Sequence, residues 1–182
     1  MVDAASAAAS SPLAEREGDF ARISAVEVAF LAQVDVRCEE SAAAGLGFPL
    51  EPNTATGDMT RGVLWLGPDE WLVVSGPGTG TVDVAELEEA LRGTHHSVVD
   101  VSASRTVLEL RGTDHLELLA TGCSLDLDPR GGWVSGRCAQ TLFGRSQVLL
   151  QELDGATRVF IRTSFAHATL DRLLAAAAAL RP

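Results

Sequence analysis

The sequence predicts an α+β fold made of two split β-α-β (ferredoxin-like) units, and three observations carry that expectation. Alternating apolar and polar residues mark strands along most of the chain, and two capping signatures open short helices at matching places. The implied order is β-α-β-β-α-β over residues 31–102 and β-α-β-β-α over 105–180, the same plan twice. No sequence repeat underlies the duplication. A chain of 182 residues has room for one well-buried domain, here placed at residues 21–182.

Residues 1–20 carry Asp3 and no arginine before Arg16, so they lack the positive start and apolar core of a secretory signal and read as a disordered tail. Val34, Val36 and Cys38 alternate with Asp35 and Arg37, a half-buried strand, and an Ala-rich helix or turn follows to about Gly45. From Phe48 to Gly62 the chain holds Pro49, Pro52, Asn53 and Gly57 without periodicity, which predicts an exposed loop.

VLWL and WLVV flank Gly67-Pro68-Asp69-Glu70, a hairpin whose Pro68 sets φ for the turn. With a four-residue loop, Leu66 opposes Trp71 and Leu64 opposes Val73, which leaves Trp65 and Leu72 on the other side. Both faces are apolar. One therefore needs the domain's own helices, and the other needs either more of the chain or another protein.

Asp83 with Glu86 forms a capping-box pattern ahead of AELEEALR, and Gly93 is placed to end that helix. The strands SVVDVS and RTVLELR come next, with Leu108 and Leu110 among the buried positions. Asp114 with Glu117 repeats the capping signature before a short helix ending at Gly122. A long Gly-rich connection then leads to strands around Ala139–Gln151 and Thr157–Thr163, separated by the tight-turn dipeptide Asp154-Gly155. Ser164 is positioned to cap a last helix, along which Phe165, Thr169, Leu173 and Ala177 recur at helical spacing.

Composition removes several chemistries. All 14 basic residues are arginine, so neither a Schiff-base lysine nor a P-loop lysine is available, and without tyrosine there is no phenolic acid or base. The net charge of −11 argues against partners rich in phosphate, whether nucleic acid or an anionic membrane surface. That charge is uneven, with 4 arginines against 16 acids in residues 1–91 and 10 against 9 thereafter. Cys38, Cys123 and Cys138 form no CxxC pair and read as free thiols. No apolar run is long enough for a membrane span, which points to the cytoplasm.

Motifs that carry chemistry are weak. GPGTG at Gly76–Gly80 lies between a strand and a helix, but Thr81 stands where a dinucleotide fingerprint needs its third glycine and Pro77 lacks an N–H for phosphate. It reads as a flexible loop. His95, His96, His115 and His167 fall in no ligand pattern, so no metal site is assigned. Ser102, His115 and Asp100 make a triad only on paper, since no nucleophile elbow supports it. Arg105, Arg111, Arg137, Arg145, Arg158 and Arg162 could clamp an anion, or form the solvated or partner-facing side of a sheet. Taken alone, these residues favour a binding or assembly role.

Four segments resemble the gamma subunit of heterotetrameric sarcosine oxidase: LWLGPDEWLVV at Leu64–Val74, DVSASRTVLELRGTDHLELLATGCSLDLDP at Asp100–Pro129, QTLF at Gln140–Phe143 and RTSFAHATLDRLL at Arg162–Leu174. The Asp-Val-Ser and Arg-Gly-Thr-Asp pieces are also similar to the wider aminomethyltransferase (glycine-cleavage T-protein) superfamily. The resemblance implies a T-protein-like folate-binding-domain fold and a place beside alpha, beta and delta subunits in a complex that oxidises sarcosine to glycine. That complex yields hydrogen peroxide and either formaldehyde or methylene-tetrahydrofolate. FAD, FMN and NAD are implied for the larger subunits, zinc for the delta subunit and tetrahydrofolate as one-carbon acceptor, with no cofactor, metal or catalytic residue on this chain. The T-protein's acidic folate signature has no counterpart here. Trp65, Leu66, Trp71 and Leu72 then become the candidate residues for docking on the alpha subunit. The alternative reading is a stand-alone folate-binding enzyme or sensor of the T-protein type.

Overall fold

The structure, a computed structural model, describes residues 10–14, 18–20 and 23–180. Along the chain run β1 (Gly18–Phe20), β2 (Ile23–Glu27), β3 (Ala32–Cys38), α1 (Glu40–Gly45), β4 (Ala55–Gly57), β5 (Gly62–Gly67), β6 (Glu70–Ser75), α2 (Gly80–Ala90) and β7 (His96–Asp100). The second half adds β8 (Arg105–Arg111), α3 (His115–Ala120), β9 (Cys138–Phe143), β10 (Ser146–Leu153), β11 (Ala156–Arg162) and α4 (Ala166–Ala179).

Two antiparallel sheets result, ordered β4-β5-β6-β3-β7 and β1-β2-β8-β11-β10-β9. The duplicated plan is visible in that order. Within the first sheet β5-β6-β3-β7 is a split β-α-β unit, and β10-β11-β8-β2 repeats it position for position, with β4 and β9 as corresponding additions at one edge. In the second unit the fourth strand comes from earlier in the sequence, where β2 pairs with β8.

This arrangement corrects the reading of residues 1–20 as a tail. Leu13 is buried in the core with Ile23 and Ala25, and Gly18–Phe20 pairs with β2; residues 1–9 and 15–17 lie outside the described residues. The loop expected over Phe48–Gly62 contains β4, which pairs with β5. The segment Ala139–Gln151 is not continuous, because Gly144, at φ 62°, turns it into the β9–β10 hairpin. The terminal helix is entered through a 3-10 turn at Thr163–Phe165 with no side-chain cap from Ser164, and Phe165 is exposed.

The sheets pack face to face. Leu64, Leu72 and Val74 of the first meet Val107, Leu149 and Phe160 of the second, so each hairpin strand sends alternate residues into this inter-sheet core. On the outer face of the first sheet, Val34, Val36, Trp71 and Val73 pack with Ala43 of α1 and Leu87 of α2. On the outer face of the second, Leu108, Leu150 and Val159 pack with Leu118 and Leu119 of α3 and with Leu170 and Leu173 of α4. The result is four layers, helices on each outside and two sheets within. The second apolar face of the β5–β6 hairpin is thus covered by more of the chain itself.

Candidate functional site

The hairpin Leu64–Val74 turns through Pro68 and Asp69, with Gly67 opposite Glu70, but the register shifts between Trp65 and Gly67. Leu66 is the extra residue of a bulge. Trp65 therefore faces Trp71, and Leu64 faces Leu72, in place of the regular pairing that the spacing predicts. The true faces are Val63, Trp65, Trp71 and Val73 toward the helices, and Leu64, Leu66, Leu72 and Val74 toward the second sheet.

The four candidate docking residues divide accordingly. Trp71 and Leu72 are both 0% exposed and belong to the chain's own two cores. The Trp71 ring lies 6.0 Å from the Phe48 ring, and its Nε1–H donates to the Pro49 carbonyl at 2.7 Å, which clamps the 48–54 segment onto the sheet. Trp65 and Leu66 are only half-buried. The Leu66 carbonyl accepts a bond from Gln140 Nε2 at 3.1 Å, joining the hairpin tip to β9, where Leu142 is 50% exposed. Leu66 and Leu142 thus supply accessible apolar area around this seam, and Trp65 adds to it on the opposite, helix-facing side of the hairpin.

Cys138 fixes the seam from within. Its thiol donates to the carbonyls of Thr54, at 3.2 Å, and Trp65, at 3.5 Å, and burial pushes its pKa up to about 11. Burial also raises Cys38, whereas Cys123 is partly exposed. At about pH 8 a thiol reagent should therefore modify Cys123 first and reach Cys38 and Cys138 only on unfolding. Rapid labelling of Cys138 in the native chain, read by peptide mass, would contradict this packing.

Other candidate groups are engaged in holding the fold. Asp83 is no helix cap, because α2 begins three residues earlier. Its carboxylate is buried and accepts from Ser75, from Thr79 at 2.9 Å and from Arg61 at 2.6 Å. Burial alone would raise its pKa, but these bonds outweigh it and hold the carboxyl below the usual range. They also tie down the GPGTG segment read as a flexible loop, where Thr79 Oγ1 bonds the Gly76 carbonyl at 2.9 Å. A Cβ on Gly80 would come within 2.6 Å of the Asp100 carboxylate. With Asp83 and Asp100 both set against the loop, its charge does not fit a pyrophosphate.

The paper triad is not assembled. Ser102 bonds Asp100 within a local turn and accepts from the Gln33 N–H at 2.9 Å. His115 instead bonds the Gly112 carbonyl through Nδ1 at 2.6 Å and points Nε2 toward Glu152 at 3.8 Å. Glu152 also accepts from Trp133 Nε1 at 3.0 Å and from Thr157, a network that seats the 125–136 connection on the second sheet. Burial opposes charge on His115, but Glu152 and the Gly112 carbonyl prevail and raise its pKa above the free value. Its contribution to stability is then complete below about pH 6.5 and is lost as pH rises through the folded value. The difference in unfolding free energy between the native chain and His115→Gln should shrink between about pH 6 and pH 9; a growing difference would refute the assignment.

The six arginines read as a possible clamp are dispersed. Arg158 and Arg111 both hold Glu109, at 3.3 Å and 2.8 Å, and Arg137 meets Glu51 at 3.4 Å. Arg105 and Arg162 stand directly opposite each other on β8 and β11.

Comparison with known proteins decides the family. The chain matches the sarcosine oxidase, gamma subunit family over residues 22–179. It is 35% identical over 157 residues to a sarcosine oxidase subunit gamma from Arthrobacter sp, covering 81% of this chain and 76% of that one. The chain belongs to the sarcosine oxidase gamma-subunit family. A further gamma subunit, from Corynebacterium sp. (strain U-96), is 32% identical over 180 residues, 94% of this chain and 86% of that one. Among solved structures, the heterotetrameric sarcosine oxidase from Corynebacterium sp. U-96, in complex with pyrrole 2-carboxylate, contains a chain that superposes with a TM-score of 0.84 at 30% identity, covering 94% of this chain and 95% of that one. The glycine cleavage system aminomethyltransferase T from Bartonella henselae shares the fold alone, with a TM-score of 0.66 at 14% identity over 85% of this chain and 46% of that one. The α+β, T-protein-like architecture expected from the sequence is thus the architecture of this gamma-family chain.

Proposed function

We propose that this gamma-family chain is a non-catalytic assembly subunit of a heterotetrameric sarcosine oxidase. It docks on the alpha subunit through the tip of the β5–β6 hairpin and the adjoining β9. In the assembled enzyme, sarcosine goes to glycine with release of hydrogen peroxide and of formaldehyde, or with transfer of the one-carbon unit to tetrahydrofolate. FAD, FMN, NAD and zinc reside in the alpha, beta and delta subunits, and the complex works in the cytoplasm. What this chain supplies is shape and contact area.

The observation that carries this reading is the division of labour at the hairpin. The candidate reactive groups Asp83, Asp100, Ser102 and His115 are tied into structural bonds, while Trp65, Leu66 and Leu142 offer half-buried or exposed apolar area at a rigid seam. Apolar and aromatic residues of that kind dominate binding energy at protein interfaces. Trp65→Ala and Leu142→Glu should each weaken capture of the alpha subunit at least tenfold, with Leu142→Glu melting like the native chain because its side chain is half exposed. Capture unchanged by both substitutions would overturn the docking surface. Calorimetric titration with tetrahydrofolate tests the stand-alone folate-binding alternative, which requires saturable binding by this chain alone.

A further inference from the structure

A cleft of about 400 Å³ lies at the open end of the second sheet, and its chemistry differs from that of the hairpin tip. Its inner-face position follows from register: Val107 and Phe160, two pairs further in, belong to the inter-sheet core, so Arg105 and Arg162 point to the same side beyond its margin. Two like charges directly opposite on neighbouring strands repel. The other strand arginines of this sheet, Arg111 and Arg158, both meet Glu109 at close range, yet among the described residues neither Arg105 nor Arg162 forms an ion pair within 4.0 Å or donates a hydrogen bond to a side chain or carbonyl. Asp35 and Glu70 attract Arg105 from the facing sheet, but both are held by Arg37, at 3.9 Å and 2.6 Å. Arg105 is half-buried, and burial followed by the Arg162 charge lowers its pKa, outweighing the attraction of Asp35 and Glu70.

The rest of the lining suits a small organic anion. Gln147 and Ser124 bring amide and hydroxyl groups, and Leu142 and Phe160 give an apolar wall, within the volume range of ordinary small-ligand sites. We propose that this cleft binds a carboxylate carried on a short apolar or aromatic body, gripped between the Arg105 and Arg162 guanidiniums. The planar fork of arginine matches a carboxylate edge, and an anion between the two removes their repulsion. The carboxylate comes either from a free small molecule or from an acidic side chain of a partner subunit. Leu142 borders both this cleft and the proposed docking surface, but the grip assigned to Arg105 and Arg162 does not depend on docking.

Titration of the full chain with benzoate, and with benzamide as its uncharged isostere, is the test. Benzoate should bind at least tenfold more tightly than benzamide, and Arg105→Gln and Arg162→Gln should each weaken benzoate at least tenfold while leaving ligand-free melting unchanged or raised. If the assembled complex binds benzoate as the lone chain does, the source is a free small molecule. If assembly blocks benzoate, or if both variants assemble more weakly than the native chain, the carboxylate belongs to a partner. Benzoate binding no better than benzamide, together with normal assembly of both variants, would overturn the proposal.

Discussion

Trp71→Ala is expected to lower the unfolding free energy by about 3–5 kcal/mol, a large share of the roughly 5–15 kcal/mol available to a domain. The ring is fully enclosed between the first sheet and its helices, so its removal leaves a cavity in a close-packed core. The substitution also removes the indole N–H donated to Pro49, so the 48–54 segment loses its anchor. Because this segment leads into β4, the damage should spread to the edge of the sheet that meets β9, where Cys138 N–H bonds the Asn53 carbonyl at 3.0 Å. Chemical denaturation of the isolated chain measures the loss. Trp65→Ala, at a half-buried ring, should cost well under half as much, and equal losses for the two tryptophans would contradict the bulged register.

Glu152→Ala should have an effect of similar size, about 3–5 kcal/mol, for a different reason. Its carboxylate is buried, so removing it strands the Trp133 indole N–H and the Thr157 hydroxyl and takes away the group that helps raise the His115 pKa. Glu152→Gln keeps an acceptor for the first two and should lose much less. Since Trp133 and Leu127 are the buried apolar contacts of the 125–136 connection with the core, loosening Trp133 by Glu152→Ala should also open that connection to proteolysis before global unfolding. Intact resistance in Glu152→Ala would mean that packing of Trp133 holds the connection without its hydrogen bond.

Much of this architecture is legible in the sequence where burial alternates cleanly. The strands at Val34–Cys38 and Arg105–Arg111 show a face because buried apolar residues recur at alternate places, and Trp71–Val74 shows as an unbroken apolar run beside a turn. What escapes notice depends on partners distant in sequence. β2 buries Ile23 and Ala25, a weak alternating signal, and gains its place only because the second unit needs a fourth strand beside β8. β4 has three residues and no pattern of its own. Asp83 mimics a cap by spacing alone, whereas its role becomes visible once Arg61 is brought across to it from the start of β5. In the candidate docking site, the four residues Trp65, Leu66, Trp71 and Leu72 are recognisable as a two-faced hairpin, but one inserted residue at Leu66 decides which rings share a face. No local feature of the sequence announces a bulge. The Arg105–Arg162 pair is hidden for the same reason, since their opposition exists only in the β8–β11 register.

Reconstitution tests the account most directly. The purified chain is combined with alpha, beta and delta subunits, complex mass is followed by light scattering, and peroxide released from sarcosine is recorded in parallel for the complex and for the chain alone. The account predicts stoichiometric incorporation into an active complex and no peroxide from the isolated chain. Turnover by the chain alone, or an equally stable and active oxidase assembled without it, would contradict the claim that it contributes contact surface and makes no bonds.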